Sequence, residues 1–135
     1  MLLLADDDEN GAFLTQRALE DAGVDERIVL ARDGEAVIEC LCADGEVPRL
    51  VLLDQNLPRR TGLEVLEWIR KESSVPTLPV LLLSGSDYDG DVQAAYLLGA
   101  NGYLVKAVSY DDTLAMARAV KAYWLGVNRG PRPRC

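Results

Sequence analysis

Four apolar runs in this chain end abruptly on side chains able to do polar chemistry. Leu2-Leu3-Leu4-Ala5 runs into Asp6 and Asp7, Leu50-Val51-Leu52-Leu53 into Asp54, Val80-Leu81-Leu82-Leu83 into Ser84, and Gly102-Tyr103-Leu104-Val105 into Lys106. Brought together, three carboxylates would repel one another by about 3 kcal/mol per pair at ~5 Å and an effective dielectric of ~20. A cation has to sit among them. Oxygen-only ligands suit Mg²⁺ or Mn²⁺ and not zinc, and Lys106 is a second source of positive charge. A carboxylate beside a divalent ion, with an ammonium and a hydroxyl facing the same space, is equipped to accept a phosphoryl group: Asp54 attacks in line while the cations neutralise the phosphoryl oxygens.

The meeting of these residues depends on the elements that carry them. Uninterrupted branched apolar runs read as strands buried on both faces, the habit of a parallel sheet. Parallel strands all present their C-terminal ends on one edge, where open α/β sheets bind ligands. Apolar runs and helical patterns alternate five times along the chain, as βαβ units require. A fifth strand is expected at Ile28-Val29-Leu30-Ala31. The first helix is predicted over about 10–22, with Phe13, Leu14, Ala18 and Ala22 on its inner face and Gly23 to stop it. Asp33-Gly34 opens a second helix with Ala36, Val37, Cys40 and Leu41 on one face. Thr61-x-x-Glu64 has the form of a capping box for a third, with Leu63, Val65, Leu66 and Ile69 as its stripe. The fourth runs towards Leu97-Leu98 and closes at Gly99. Ser109 with Asp112 starts the last, where Leu114, Ala117, Val120, Lys121 and Trp124 keep helical spacing.

Composition narrows the function classes. At 135 residues with a formal charge of −8, one layered domain is expected. Arg129, Arg132 and Arg134 all lie in the tail, so the body is more acidic still, which argues against nucleic acid and anionic membranes as partners. The absence of histidine removes imidazole bases, serine triads and histidine metal sites. Cys40, Cys42 and Cys135 form neither a disulfide framework nor a zinc site and read as reduced thiols. No apolar run approaches ~18 residues and no signal peptide is evident, which predicts a soluble cytoplasmic protein.

With these residues in view, the chain resembles the receiver domain of two-component response regulators. The resemblance rests on Asp6-Asp7, Asp54, Ser84 and Lys106, within Leu53-Asp54-Gln55-Asn56-Leu57-Pro58 and Gly99-Ala100-Asn101-Gly102-Tyr103-Leu104-Val105-Lys106. It covers 2–125. The wording of the central motifs and the closing Tyr123-Trp124 are most similar to stand-alone phytochrome-associated regulators. The resemblance implies a flavodoxin-like (βα)5 three-layer sandwich with strand order 2-1-3-4-5, a receiver domain over 1–126 and a disordered tail over 127–135. It implies that Asp54 accepts a phosphoryl group from a sensor histidine kinase or histidine phosphotransfer protein. Asp7 would bind Mg²⁺ (or Mn²⁺) directly and Asp6 through water, Asp54 would share the ion, and Asn56 would add its backbone carbonyl. Lys106 would hold the acyl phosphate, Ser84 would swing onto a phosphoryl oxygen, and Tyr103 would follow inwards as the aromatic half of the switch.

The chain departs from the family at Ala107, where a cis-proline usually follows the lysine. A cis bond without proline costs roughly 2.5–4 kcal/mol, so a trans peptide is expected. Asp8 adds a third acid, in place to cap the first helix. With no room for an effector domain, output is expected through a protein-contact surface made by the last two helices and the fifth strand. The molecule is then a phosphoacceptor with self-catalysed phosphotransfer and not a turnover enzyme. A phosphorylation-independent binding module is the alternative. A phosphatase with an Asp-x-Asp motif is disfavoured, because Asn56 stands where the general acid would be. Tyr123, Trp124 and Leu125 have two readings, a homodimer contact or core packing.

Overall fold

The computed structural model describes residues 1–131. The expected tail reaches beyond this: Arg132, Pro133, Arg134 and the third cysteine, Cys135, lie outside the described residues. Five strands, β1 (Leu2–Ala5), β2 (Ile28–Ala31), β3 (Leu50–Asp54), β4 (Val80–Ser84) and β5 (Gly102–Val105), form one sheet. All neighbours are parallel and the order is β2-β1-β3-β4-β5, the flavodoxin-like arrangement. The three central strands β1, β3 and β4 are buried along their whole length, which is why their sequences show no polar alternation.

The hidden alternation is in which face each residue serves. Leu2, Leu4, Leu50, Leu52, Leu81 and Leu83 pack against helices α1 (Glu9–Asp21) and α5 (Tyr110–Ala122). Leu3, Ala5, Val51, Leu53, Val80 and Leu82 pack on the other face, against α2 (Gly34–Cys42), α3 (Gly62–Lys71) and α4 (Asp89–Leu97). The result is three layers with a core on each side of the sheet. Each fully buried leucine contributes about 1.5–3 kcal/mol, and among the described residues the largest fully buried side chains are all leucines apart from Ile69.

The helices begin where local chemistry dictates. Thr61 and Glu64 form the reciprocal capping box of α3. Asp33 and Ser109 cap α2 and α5 through their side chains. Asp8 stands at the N-cap of α1, but its side chain makes no capping bond. The face of α1 also differs from expectation. Phe13 and Leu14 are 60% and 46% exposed, and the buried positions are Ala12, Thr15, Ala18 and Leu19. Ala18 and Leu19 of this face join the core shared with Ala117 and Val120 of α5, and Phe13 and Leu14 fall on the outer side. The chain continues from α5 into a π-helical turn over Tyr123–Val127. Trp124 and Leu125 pack against the core, whereas Tyr123 is exposed.

On the N-terminal edge of the sheet Arg70 makes four hydrogen bonds. It donates to the carbonyls of Gly99 (2.9 Å), Pro76 (2.9 Å) and Leu78 (2.7 Å) and to Oδ1 of Asn101 (2.8 Å). The end of α3 is thereby tied to the entries of β4 and β5. On the opposite edge, Gly62 brings the start of α3 against the phosphoacceptor candidate. A Cβ there would stand 2.4 Å from the Asp54 carbonyl oxygen and 2.8 Å from the Gln55 Cα. Although alanine favours helices over glycine by about 1 kcal/mol, Gly62→Ala is expected to destabilise the chain by about 1–3 kcal/mol through this overlap with backbone. Urea unfolding of the two proteins measures it.

Candidate functional site

Parallel pairing places the ends of β1, β3, β4 and the residue after β5 side by side. The register matches Ala5 with Leu53, Asp54 with Leu83, and Ser84 with Val105. Asp6, Asp54 and Ser84 are buried, only 4%, 2% and 2% exposed. Asp7 is exposed at the same edge. One carboxylate oxygen from each of Asp6, Asp7 and Asp54 lies within 4.8 Å of the others. The Lys106 ammonium is 2.7 Å from Asp54 Oδ2 and 3.7 Å from Asp6 Oδ2.

Backbone amides hold the carboxylates in place. The Asp8 N–H donates to Asp6 Oδ1 (2.9 Å) and the Asn56 N–H to Asp54 Oδ1 (3.0 Å). Ser84 Oγ accepts from the Ser86 N–H at 3.1 Å, and the Ser84 carbonyl accepts from the Lys106 N–H at 2.7 Å. The Tyr103 phenol donates to the Ser86 carbonyl at 2.8 Å and reaches Gln55 Oε1 at 3.3 Å. All seven residues singled out from the sequence are therefore at one edge of the sheet. Gln55, Ser86 and Gly11 were not foreseen. Gly11 leaves room for the acids, since a Cβ there would come within 3.2 Å of Asp6 Oδ2. A glycine inside a predicted helix was the one signal available. Among the described residues no peptide bond is cis, so the Lys106–Ala107 bond is trans as expected.

Burial dominates the electrostatics. It raises the Asp6 carboxyl from 3.8 to about 6, with the neighbouring Asp54 adding to the rise and the Asp8 N–H and Lys106 opposing it. Burial would lower the Lys106 ammonium, but its hydrogen bond to Asp54 and the charges of Asp54, Asp6 and Asp8 outweigh this and raise it. Three carboxylates against one ammonium leave an excess of negative charge. The donor set is all oxygen and its span is close to the ~4 Å between opposite ligands of an octahedral Mg²⁺, so the residues fit a hard divalent cation. A cleft of about 820 Å³ between Pro48, Pro79 and Trp124 lies on the other edge of the sheet and takes no part in this arrangement.

Residues 2–118 match the response regulator receiver domain family. The chain belongs to this family. The receiver is 39% identical to a probable methanogenesis regulatory protein, FilR2, of Methanothrix harundinacea, over 98% of this chain and 88% of that protein. It is 34% identical to the response regulator Rcp1 of Synechocystis, over 93% and 88% of the two chains. The Mn²⁺-bound form of Rcp1 superposes with a TM-score of 0.87 at 32% identity, covering 97% of this receiver and 98% of Rcp1. The phosphorylated cyanobacterial phytochrome response regulator RcpA superposes with a TM-score of 0.89 at 29% identity, covering 97% of each chain. The likeness to phytochrome-associated regulators read from the central motifs is thus borne out. Receivers are signalling phosphoacceptors modified on aspartate, and they bind Mg²⁺ or Mn²⁺ in an acidic pocket. Among the described residues no helix is long and apolar enough to cross a membrane.

The raised Asp6 carboxyl has a measurable consequence for the metal-free receiver. Its folded value lies above its unfolded one, so the associated stability is complete below pH ~4 and is lost as pH rises through about 6. Asp6→Asn is expected to stabilise the metal-free chain by about 1–3 kcal/mol at pH 7.5. The gain should fade as pH falls from 6 towards 4, in urea unfolding with a chelator present.

Proposed function

We propose that Asp54 is the phosphoacceptor of this receiver and takes its phosphoryl group from a histidine kinase or a histidine phosphotransfer protein. The observation that carries the proposal is the meeting of Asp6, Asp7 and Asp54 with the Lys106 ammonium at the end of β3. A carboxylate oxygen of Asp54 attacks phosphorus. An O–P bond forms as the P–N bond of the phosphohistidine breaks, and its electron pair returns to the imidazole nitrogen of the donor. Asp6, Asp7, Asp54 and the Asn56 carbonyl would hold Mg²⁺ or Mn²⁺, which when bound supplies positive charge to the phosphoryl oxygens. Lys106 gives up its contact with Asp54 Oδ2 to hold the acyl phosphate. Ser84 turns its hydroxyl onto a phosphoryl oxygen, and Tyr103 completes the switch on the inner side of the β4–α4 loop.

The receiver region over 1–126 then acts by changing a protein-contact surface and not by turning over a substrate. Exposed apolar side chains support α4, β5 and α5 as that surface: Leu97 on α4 is 80% exposed, and Val105 and Val108 are exposed on and after β5. The exposed Tyr123 leaves one aromatic on offer for self-association. Free Cys40 and Cys42 support a reducing, cytoplasmic setting.

With Mg²⁺ and acetyl phosphate, the intact protein is expected to gain the mass of one phosphoryl group, located on Asp54 by fragmentation. Asp54→Asn should gain none, and Lys106→Ala should slow the gain at least tenfold by removing the charge that the reaction develops against. An unmodified wild-type protein overturns the proposal.

A further inference from the structure

The polar groups around Asp54 close into a ring. Lys106 Nζ bonds Asp54, and the Lys106 backbone N–H bonds the Ser84 carbonyl. Ser84 Oγ accepts from Ser86, whose carbonyl accepts from Tyr103. The phenol oxygen also lies 3.3 Å from the carboxamide of Gln55, the residue that follows Asp54 in the chain. A phenol has one proton, and it goes to the nearer acceptor, the Ser86 carbonyl at 2.8 Å. The oxygen and nitrogen of a carboxamide exchange places by a half turn, so Gln55 satisfies the phenol oxygen by donating Nε2–H to it. Both bonds are then made at once.

Gln55 is well placed to act as an anchor. Its N–H donates to the Leu83 carbonyl at 2.9 Å and its carbonyl accepts from the Gly62 N–H at 3.0 Å. The side chain therefore extends from a backbone held by β4 on one side and α3 on the other. It reaches past β4 to β5 and touches the one aromatic of that strand.

We propose that Gln55 is a positioning residue for the switch, holding Tyr103 inward against the β4–α4 loop before any phosphoryl group arrives. The inference rests on the phosphoacceptor reading of Asp54 and deepens it. With the phenol already in place, phosphorylation has to move only Ser84 and the loop. Less of the interaction energy goes into reorganisation, and the site binds a phosphoryl group more tightly.

The test uses beryllofluoride with Mg²⁺ as the phosphoryl probe, and 3-fluorotyrosine incorporated in place of tyrosine, with the Tyr103 resonance assigned by its loss in Tyr103→Phe. Gln55→Met keeps the length of the side chain and removes its hydrogen bond; Gln55→Ala is the second variant. In the metal-free protein either change should move the Tyr103 fluorine resonance towards its solvent-exposed position. Either should weaken beryllofluoride binding by about three- to tenfold, the effect of one hydrogen bond. In the Tyr103→Phe background the same changes should have no effect on binding, because the partner is gone. An unmoved resonance, or an equal loss in both backgrounds, overturns the role of Gln55 alone. A wild-type protein that binds no beryllofluoride overturns the phosphoacceptor reading and this inference together.

Discussion

Two buried carboxylates, Asp6 and Asp54, share one edge of the sheet with a third, exposed carboxylate and a single ammonium. That uneven balance is what the rest of the molecule must support. Like charges so near one another spring apart unless backbone and packing restrain them, and here both do. Two N–H groups hold the buried acids from the same loops that carry them. Gly11 and Gly62 give up their side chains so that α1 and α3 can come close. Apolar strands buried on both faces fix where each carboxylate begins, since sliding β3 by one residue would turn its leucines to the wrong core. The unmet negative charge is the functional asset: it makes the site a host for a hard cation and, through that cation, for an incoming anion.

Much of this was legible in the residues themselves. Strands buried on both faces leave uninterrupted apolar runs, and a polar side chain at the end of such a run stands out. Parallel pairing then converts four distant positions into one edge without further assumption. The strand order came from the family resemblance and not from the runs, which look alike. The inner face of α1 was misjudged because Phe13, Leu14, Ala18 and Ala22 also fall close to helical spacing. The buried face runs instead through Ala12, Thr15, Ala18 and Leu19. Two stripes on one short helix can both look apolar, and the sheet beneath decides which of them is covered.

The reach of Gln55 to Tyr103 was not legible at all. It joins β3 to β5 past an intervening strand, so no pairing rule or spacing points to it, and its residue type is ordinary in a loop. The same holds for Ser86, whose serine side chain donates to Asp91 while its backbone carbonyl serves the phenol. Contacts made through a main-chain carbonyl leave no trace in the identity of the residue that supplies it.

The reactive edge and the clamp opposite it under β4 and β5 are built on different physics. At the reactive edge ions face ions, and their bonds change strength when a proton, a metal or a phosphate arrives. At the other edge the entries of β1, β2 and β3 also carry ion pairs, of Met1, Arg27 and Arg49 with Glu26 and Glu46, but under β4 and β5 Arg70 reaches three carbonyls and one carboxamide, all neutral. Neutral acceptors do not titrate, and contacts this short are barely screened by salt. The two strands that carry Ser84 and Tyr103 are thus held at their entries by bonds indifferent to charge, while their exits answer to it.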